Sequence, residues 1–177
     1  MKAVPVIGTF AVVVAAWAVQ TSEFVHAEGA GESTPTERVV VVRQFAATPQ
    51  EVWAAWTDPA QMSRWFGSDP QGRVLAAAAD VRIGGRYAVT FADSDGTEHT
   101  ASGQYSVVEP HSRLSFSWHW QSEPGVRSSV TITLTPEGTG TRMRFEHAGT
   151  GYGSSHDFER GWQSTFDKLE RALRRQS

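Results

Sequence analysis

Apolar and polar residues alternate with a period of two through most of residues 73–147. In residues 114–120 leucine, phenylalanine and two tryptophans occupy every second position, separated by serines and a histidine. In residues 130–134 aliphatic side chains alternate with threonines, and in residues 143–147 every second side chain is charged. Because successive side chains of a strand point to opposite faces, the pattern predicts strands with one buried face, which is typical of an antiparallel sheet.

Two short helices are predicted between the first strand, residues 39–45, and the rest of the sheet. The sequence Thr48-Pro49-Gln50-Glu51 has the form of a capping box, with proline at the first helical position, and predicts a helix that ends near Thr57. Asp58-Pro59-Ala60-Gln61 repeats this start signal. A second short helix is expected to follow and to end at Gly67.

The chain ends with a segment of helical periodicity, residues 155–175. Its apolar face is formed by Phe158, Gly161, Trp162, Thr165, Phe166, Leu169 and Leu173. Since the strands and this helix each have one apolar face to bury, the simplest fold is α+β. We expect a curved antiparallel sheet of about seven strands wrapped around the long C-terminal helix, with two short helices after strand 1. Bulky side chains between the layers can leave a cavity.

The first 27 residues have the layout of a secretory signal peptide. Lys2 is followed by an apolar run, residues 3–19, and Val25-His26-Ala27 resembles a cleavage site. An uncleaved N-terminal membrane anchor is the alternative, and only this form would contact a membrane. Residues 28–37 contain few apolar side chains and are predicted to be a flexible linker before a domain of residues 38–177. We therefore expect an exported protein, periplasmic or extracellular.

Composition excludes several functional classes. The net charge is −3 and no basic patch is visible, which argues against nucleic-acid binding. The absence of cysteine excludes disulfides, thiolate metal sites and thiol nucleophiles. The histidines lack the spacing of metal ligands, so no metal is expected. No other cofactor is expected either.

Several motifs in a fixed order resemble a known family. They are residues 43–59 (RQFAATPQEVWAAWTDP), residues 64–66 (RWF), residues 80–87 (DVRIGGRY) and, later, residues 146–149 (EHAG) before Gly161-Trp162. Together they resemble the bacterial branch of the family named after an activator of the heat-shock-protein-90 ATPase, within the SRPBCC (START and pollen-allergen-like) superfamily. The resemblance implies a helix-grip fold with a pocket between sheet and C-terminal helix. Because a shared fold is not a shared reaction, it implies little about function.

The predicted ligand-binding residues are those whose position in a strand or helix turns them towards the interior. They are Tyr87, Phe91, Tyr105, Phe116, Trp118, Trp120, Phe145, His147, Trp162 and Phe166. His147 has two interpretations: a core histidine paired with a neighbour, or a polar group that orients a ligand or moves a proton. It is the one candidate for a catalytic residue. Trp53, Trp56, Trp65 and Phe66 are expected to hold the short helices over the cavity mouth.

Three functions are compatible with these observations. The first is binding or transport of a small hydrophobic or aromatic molecule in the internal cavity. The second is an enzyme of cyclase, dehydratase or isomerase type that uses the same cavity through His147 or a tyrosine. The third is a protein-binding module like the chaperone activators for which the family is named.

Overall fold

The computed structural model describes residues 37–150 and 156–175. The predicted signal peptide and the predicted linker, except Glu37, lie outside the described residues. The elements in chain order are β1 (Arg38–Phe45), α1 (Pro49–Thr57), α2 (Pro59–Met62), β2 (Arg73–Ala79), β3 (Arg86–Ala92), β4 (Glu98–Glu109), β5 (Arg113–Trp120), β6 (Ser128–Glu137), β7 (Gly140–Ala148) and α3 (Phe158–Arg174).

All seven strands form one curved antiparallel sheet, in the order β1-β7-β6-β5-β4-β3-β2. Hairpins connect β2 through β7 in sequence, and β1 pairs with β7 at the far side, so β1 and β2 are the edge strands. Register shifts interrupt the β2–β3 pairing between Val74 and Ala76, and the β4–β5 pairing between Tyr105 and Val107. Such bulges increase local twist and bend the strand. They help the sheet to curve around the helix.

The period-two pattern predicted the buried face of the sheet correctly. Leu114, Phe116 and Trp118 of β5 are buried, and so are the alternate residues Val130, Ile132 and Leu134 of β6. On β7 the same holds for Met143, Phe145 and His147. These side chains pack against α3 and the two short helices in one hydrophobic core.

The capping box at the start of α1 forms as predicted. The Thr48 hydroxyl oxygen accepts from the Glu51 amide at 3.3 Å, and the Glu51 carboxylate accepts from the Thr48 amide at 2.7 Å. These hydrogen bonds lower the pKa of Glu51. Helix α2 is shorter than expected, because the chain turns after Met62. Trp65 remains buried in that turn, where its Nε1 donates to the carbonyl oxygen of Ala55 at 2.9 Å.

Helix α3 begins at Phe158, three residues later than predicted, because Asp157 is its N-cap and accepts from the Arg160 amide at 3.1 Å. The predicted apolar face is buried, except for the half-buried Gly161. Lys168 is also buried, which the apolar pattern did not predict. Arg43 of β1 ties the outer side of α3 to the sheet through a 2.9 Å contact with the Asp167 carboxylate. No helix in the described part of the chain is both long and apolar enough to cross a bilayer.

Candidate ligand-binding site

A cavity of about 470 Å³ lies where the first half of α3 faces strands β3, β4 and β5. The segment after α2, residues 66–70, closes one side. Cavities of a few hundred Å³ are the usual size of small-molecule sites. The cavity therefore has the position that the resemblance implied, between the sheet and the C-terminal helix.

Aromatic rings form the apolar wall of this cavity. They are Phe66, Phe91, Trp118, Trp120, Phe158 and Trp162. The rings pack on one another: the ring centroids of Trp118 and Trp162 are 5.1 Å apart, those of Trp118 and Trp120 5.2 Å, and Phe66 stacks on Trp118 at 5.9 Å. Offset and edge-on pairs of this kind stabilise one arrangement. The wall is thus preformed rather than assembled by a ligand.

Four of the ten predicted ligand-binding residues line the cavity: Phe91, Trp118, Trp120 and Trp162. The other six lie in the packed core, outside the cavity lining: Tyr87, Tyr105, Phe116, Phe145, His147 and Phe166. Phe145 and Phe166 have no exposed surface, and the ring of Trp56 lies 6.1 Å and 6.2 Å from theirs. The centre of the space between sheet and helix is therefore filled by rings. Among the described residues, the cavity of about 470 Å³ lies beside the beginning of α3.

His147 is fully buried, and both of its ring nitrogens are engaged. Trp162 Nε1 donates to Nδ1 at 2.9 Å, and Nε2 lies 2.6 Å from the Ser128 hydroxyl oxygen. Ser128 in turn donates to the carbonyl oxygen of Trp118 at 3.3 Å, so His147 Nε2 carries the hydrogen and Ser128 accepts it. Burial lowers the pKa of His147 to about 3. The ring is a neutral bridge between β6, β7 and α3.

The two predicted tyrosines are also core residues. The Tyr87 hydroxyl donates to the carbonyl oxygen of Ser117 at 3.1 Å, and burial raises its pKa well above the ordinary value. Burial raises the pKa of Tyr105 to about 12. Both phenols stay protonated at neutral pH and lie outside the cavity lining. They therefore have no direct access to a molecule in the cavity.

The aromatic residues expected at the cavity mouth occupy different positions. Phe66 lines the cavity, but Trp56 and Trp65 pack edge-on in the core with centroids 4.7 Å apart. Trp53 is half-buried and meets His111 at 6.0 Å, away from the cavity. The turn after α2, rather than both short helices, forms the cavity edge.

Polar side chains line the rest of the cavity, and the sequence patterns did not identify them as ligand-binding residues. They are Ser68, Asp69, Asp93, His99, His156, Asp157, Arg160, Ser164 and Thr165. Asp93 Oδ2 and His99 Nε2 are 3.1 Å apart. Asp93 and His99 flank the turn between β3 and β4, and residues on the two sides of a short hairpin turn face each other. That spacing was the signal available in the sequence.

Asp69 and Lys168 shape the segment that closes the cavity. The Asp69 carboxylate accepts from the Ser94 amide at 2.7 Å and from its hydroxyl at 2.6 Å, and these bonds lower the pKa of Asp69 to about 2. Lys168 Nζ donates to the carbonyl oxygens of Asp69 at 2.9 Å, Gly72 at 3.3 Å and Phe66 at 3.4 Å. Burial lowers the pKa of Lys168. The ammonium group thus holds residues 66–72 against α3.

Within residues 37–150 and 156–175, no three His, Asp or Glu side chains converge in a way that could hold a metal ion. The cavity chemistry available from the described residues is therefore that of aromatic rings, carboxylates, imidazoles, hydroxyls and one guanidinium.

Comparisons with known proteins agree with this architecture. The family model described as "Activator of Hsp90 ATPase homolog 1-like protein" matches residues 46–174. This chain is similar to a Nitrosomonas europaea protein of known crystal structure, with 25% sequence identity and a TM-score of 0.68. The match covers 78% of this chain and 95% of that one. CalU16 from Micromonospora echinospora is 30% identical, with coverages of 78% and 76% and a TM-score of 0.58.

The same fold occurs in an AHSA1-like protein from Aeromonas hydrophila, solved by NMR, which is 22% identical. The match covers 78% of this chain and 93% of that one, with a TM-score of 0.68. No curated protein matches the chain in sequence.

Proposed function

Since the chain belongs to the Activator of Hsp90 ATPase homolog 1-like family of the SRPBCC superfamily, we propose that it binds a small hydrophobic or aromatic molecule in the cavity beside α3. The fold of this family commonly binds hydrophobic ligands. The observation that carries the proposal is the cavity of about 470 Å³ with its wall of six aromatic rings. A protein that binds such a molecule reversibly can also transport it.

The energetic basis is burial of apolar surface in a preformed site. Removing apolar area from water contributes roughly 25 cal/mol per Å². The rings of Trp118, Trp120 and Trp162 already pack against one another, so a ligand orders few side chains when it binds. Smaller ordering losses leave more of the burial energy as affinity.

Binding is favoured over the enzymatic alternative that relies on His147 or a tyrosine. Both nitrogens of His147 are engaged within the core, and the Tyr87 hydroxyl is engaged at Ser117. Neither side chain lines the cavity, and nor does Tyr105. No contact of the described residues favours the protein-binding alternative.

The proposal is tested with N-phenyl-1-naphthylamine, an aromatic probe whose fluorescence rises in apolar surroundings. We expect saturable binding to the full-length protein. Gly161 lines the cavity from α3, and a Cβ added there meets only Ser68 Cβ, at 3.8 Å. The leucine side chain of Gly161→Leu should therefore occupy cavity space and weaken probe binding at least about 10-fold. This is roughly the loss expected when two methylene groups of a ligand can no longer be buried.

Gly161→Ala is the matched control, because it changes the same helical position but adds a single methyl group. It should retain most of the wild-type affinity. Absence of saturable binding to the wild type, or equal affinity in Gly161→Leu and the wild type, would contradict the proposal.

We also propose that the protein acts outside the cytoplasm. The apolar run of residues 3–19 and the small residues of Val25-His26-Ala27 support export. N-terminal sequencing of the protein isolated from its native host should give a chain that begins at Glu28. A chain that begins at Met1 or Lys2 would contradict cleavage.

A further inference from the structure

We infer that the ligand carries an uncharged hydroxyl or amino group, and that His99, held by Asp93, recognises it by accepting its hydrogen. This inference rests on the proposed binding function and assigns the polar part of the same site.

The pair fixes which nitrogen of His99 carries the hydrogen. Asp93 Oδ2 lies 3.1 Å from His99 Nε2, and a carboxylate only accepts hydrogen bonds, so Nε2 is the donor. In the neutral ring the lone pair then lies on Nδ1. His99 Nδ1 has no hydrogen-bond partner among the described residues. The neutral ring thus offers an acceptor on a residue that lines the cavity.

Packing holds this acceptor in place. The His99 ring lies 5.4 Å from the Phe91 ring and 6.1 Å from the Trp120 ring, both part of the aromatic wall. The side chains of His99 and Asp93 are 23% and 27% exposed, so water competes only in part for their hydrogen bonds. A hydrogen bond to a fixed acceptor in such a place discriminates between ligands, because leaving the acceptor unpaired costs free energy.

Trp120 supplies a complementary donor. Its Nε1 is buried and has no acceptor in the described part of the chain. A hydroxyl oxygen can accept from an indole N–H while its hydrogen is donated to an imidazole nitrogen. An ether of the same shape offers only the acceptor and leaves His99 Nδ1 unpaired.

The charges around the cavity disfavour an anionic ligand. Among the described residues, Asp69, Asp93 and Asp157 line it, against the guanidinium of Arg160. A ligand carboxylate would add a like charge and bring no hydrogen to His99. The site therefore matches phenols, alcohols and aromatic amines better than carboxylic acids.

The test uses three naphthalenes of similar shape: 2-naphthol, 2-methoxynaphthalene and 2-naphthoate. Their dissociation constants are measured with the full-length protein by equilibrium dialysis. We expect 2-naphthol to bind roughly 3- to 10-fold more tightly than the methyl ether, which is the range for one neutral hydrogen bond. We expect 2-naphthoate to bind more weakly than both.

Variants identify the residues responsible. His99→Leu should abolish the preference for 2-naphthol over the ether, whereas His119→Leu, on a histidine outside the cavity lining, should keep it. Asp93→Asn keeps His99 but should reduce the preference for 2-naphthol. The asparagine amide can donate as well as accept a hydrogen bond, so it does not hold the hydrogen of His99 on Nε2. This change in ratio separates a positioning role of Asp93 from a merely structural one.

Equal binding of 2-naphthol and its ether to the wild type would overturn the inference without any variant. The proposed binding function would stand in that case, provided that N-phenyl-1-naphthylamine still binds. Failure of that probe and of all three naphthalenes would overturn both.

Discussion

Trp162 on α3 donates a 2.9 Å hydrogen bond from Nε1 to Nδ1 of His147 on β7, inside the hydrophobic core. The other nitrogen of the same imidazole meets the Ser128 hydroxyl of β6 at 2.6 Å. Buried polar groups are tolerated when they are paired, and here one neutral ring pairs with two partners. His147 therefore connects the sheet to the helix within the core, whereas the neighbouring rings of Trp118 and Trp162 line the cavity.

Removing His147 should destabilise the protein. In His147→Ala the indole N–H of Trp162 loses its acceptor, and a void replaces a fully buried ring. We expect a loss of about 2–4 kcal/mol in the free energy of unfolding, measured by urea denaturation. His119→Ala is the control, since His119 is half-buried and, among the described residues, its ring is hydrogen-bonded to the Ser102 hydroxyl alone. Equal losses in the two variants would contradict the structural role of His147.

The same residue should make stability depend on pH. Burial lowers the pKa of His147 to about 3, from 6.5 in an exposed ring. The unfolded chain therefore binds a proton between these values that the folded chain does not. Stability is fully present above pH 6.5 and falls as the pH drops towards 3, with a limiting slope of about 1.4 kcal/mol per pH unit.

The measurement compares the free energy of unfolding at pH 7 and pH 5 in the wild type and in His147→Gln. The wild type should lose about 2 kcal/mol more than the variant between these two values. Other histidines titrate in both proteins, so the difference between the two isolates His147. An identical loss in both would show that the buried ring does not govern the acid sensitivity.

Lys168 should control both stability and binding, because it holds residues 66–72 through three carbonyl oxygens. Lys168→Met keeps the length of the side chain but leaves these carbonyls without their donor. We expect a loss of about 1–3 kcal/mol in the free energy of unfolding and weaker binding of N-phenyl-1-naphthylamine. Unchanged probe affinity, despite the lower stability, would show that this segment does not shape the cavity.

Two glycine-to-alanine substitutions should act in opposite directions. A Cβ at Gly103 of β4 would overlap the carbonyl oxygen of Ser117, so Gly103→Ala should cost about 3 kcal/mol or more. A Cβ at Gly161, within α3, would make an ordinary 3.8 Å contact with Ser68 Cβ, so Gly161→Ala should add about 0.5–1 kcal/mol through helix propensity. Thermal unfolding of both variants checks the pair, and a stabilised Gly103→Ala would contradict the close approach of β4 and β5.

The strands and helices could be predicted from the sequence because each depends mainly on residues that are close together in the chain. The alternation in β5 and the capping box at Thr48 each follow from neighbouring residues. The exact place of the cavity could not be predicted in this way. Strand alternation shows that Phe145 points inward, but not that Trp56, from α1, fills the space beside it.

The polar side of the site illustrates the same limit. Asp93 and His99 belong to the two arms of one hairpin, so their proximity follows from the turn between them. That they line the same cavity as Phe158 and Arg160 depends on where α3 crosses the sheet, which no local pattern specifies. Lys168 was missed for a related reason: its carbonyl partners lie about 100 residues earlier in the chain.

An aromatic molecule bound in the cavity beside α3 should perturb the indole groups that line it. The most direct measurement is the position of the tryptophan indole N–H signals in ¹H–¹⁵N NMR spectra, with and without saturating N-phenyl-1-naphthylamine. Trp118, Trp120 and Trp162 line the cavity and Trp53 does not. We expect large shifts for the first three signals and almost none for Trp53. Shifts centred on Trp53, with the three cavity tryptophans unchanged, would contradict binding in this cavity.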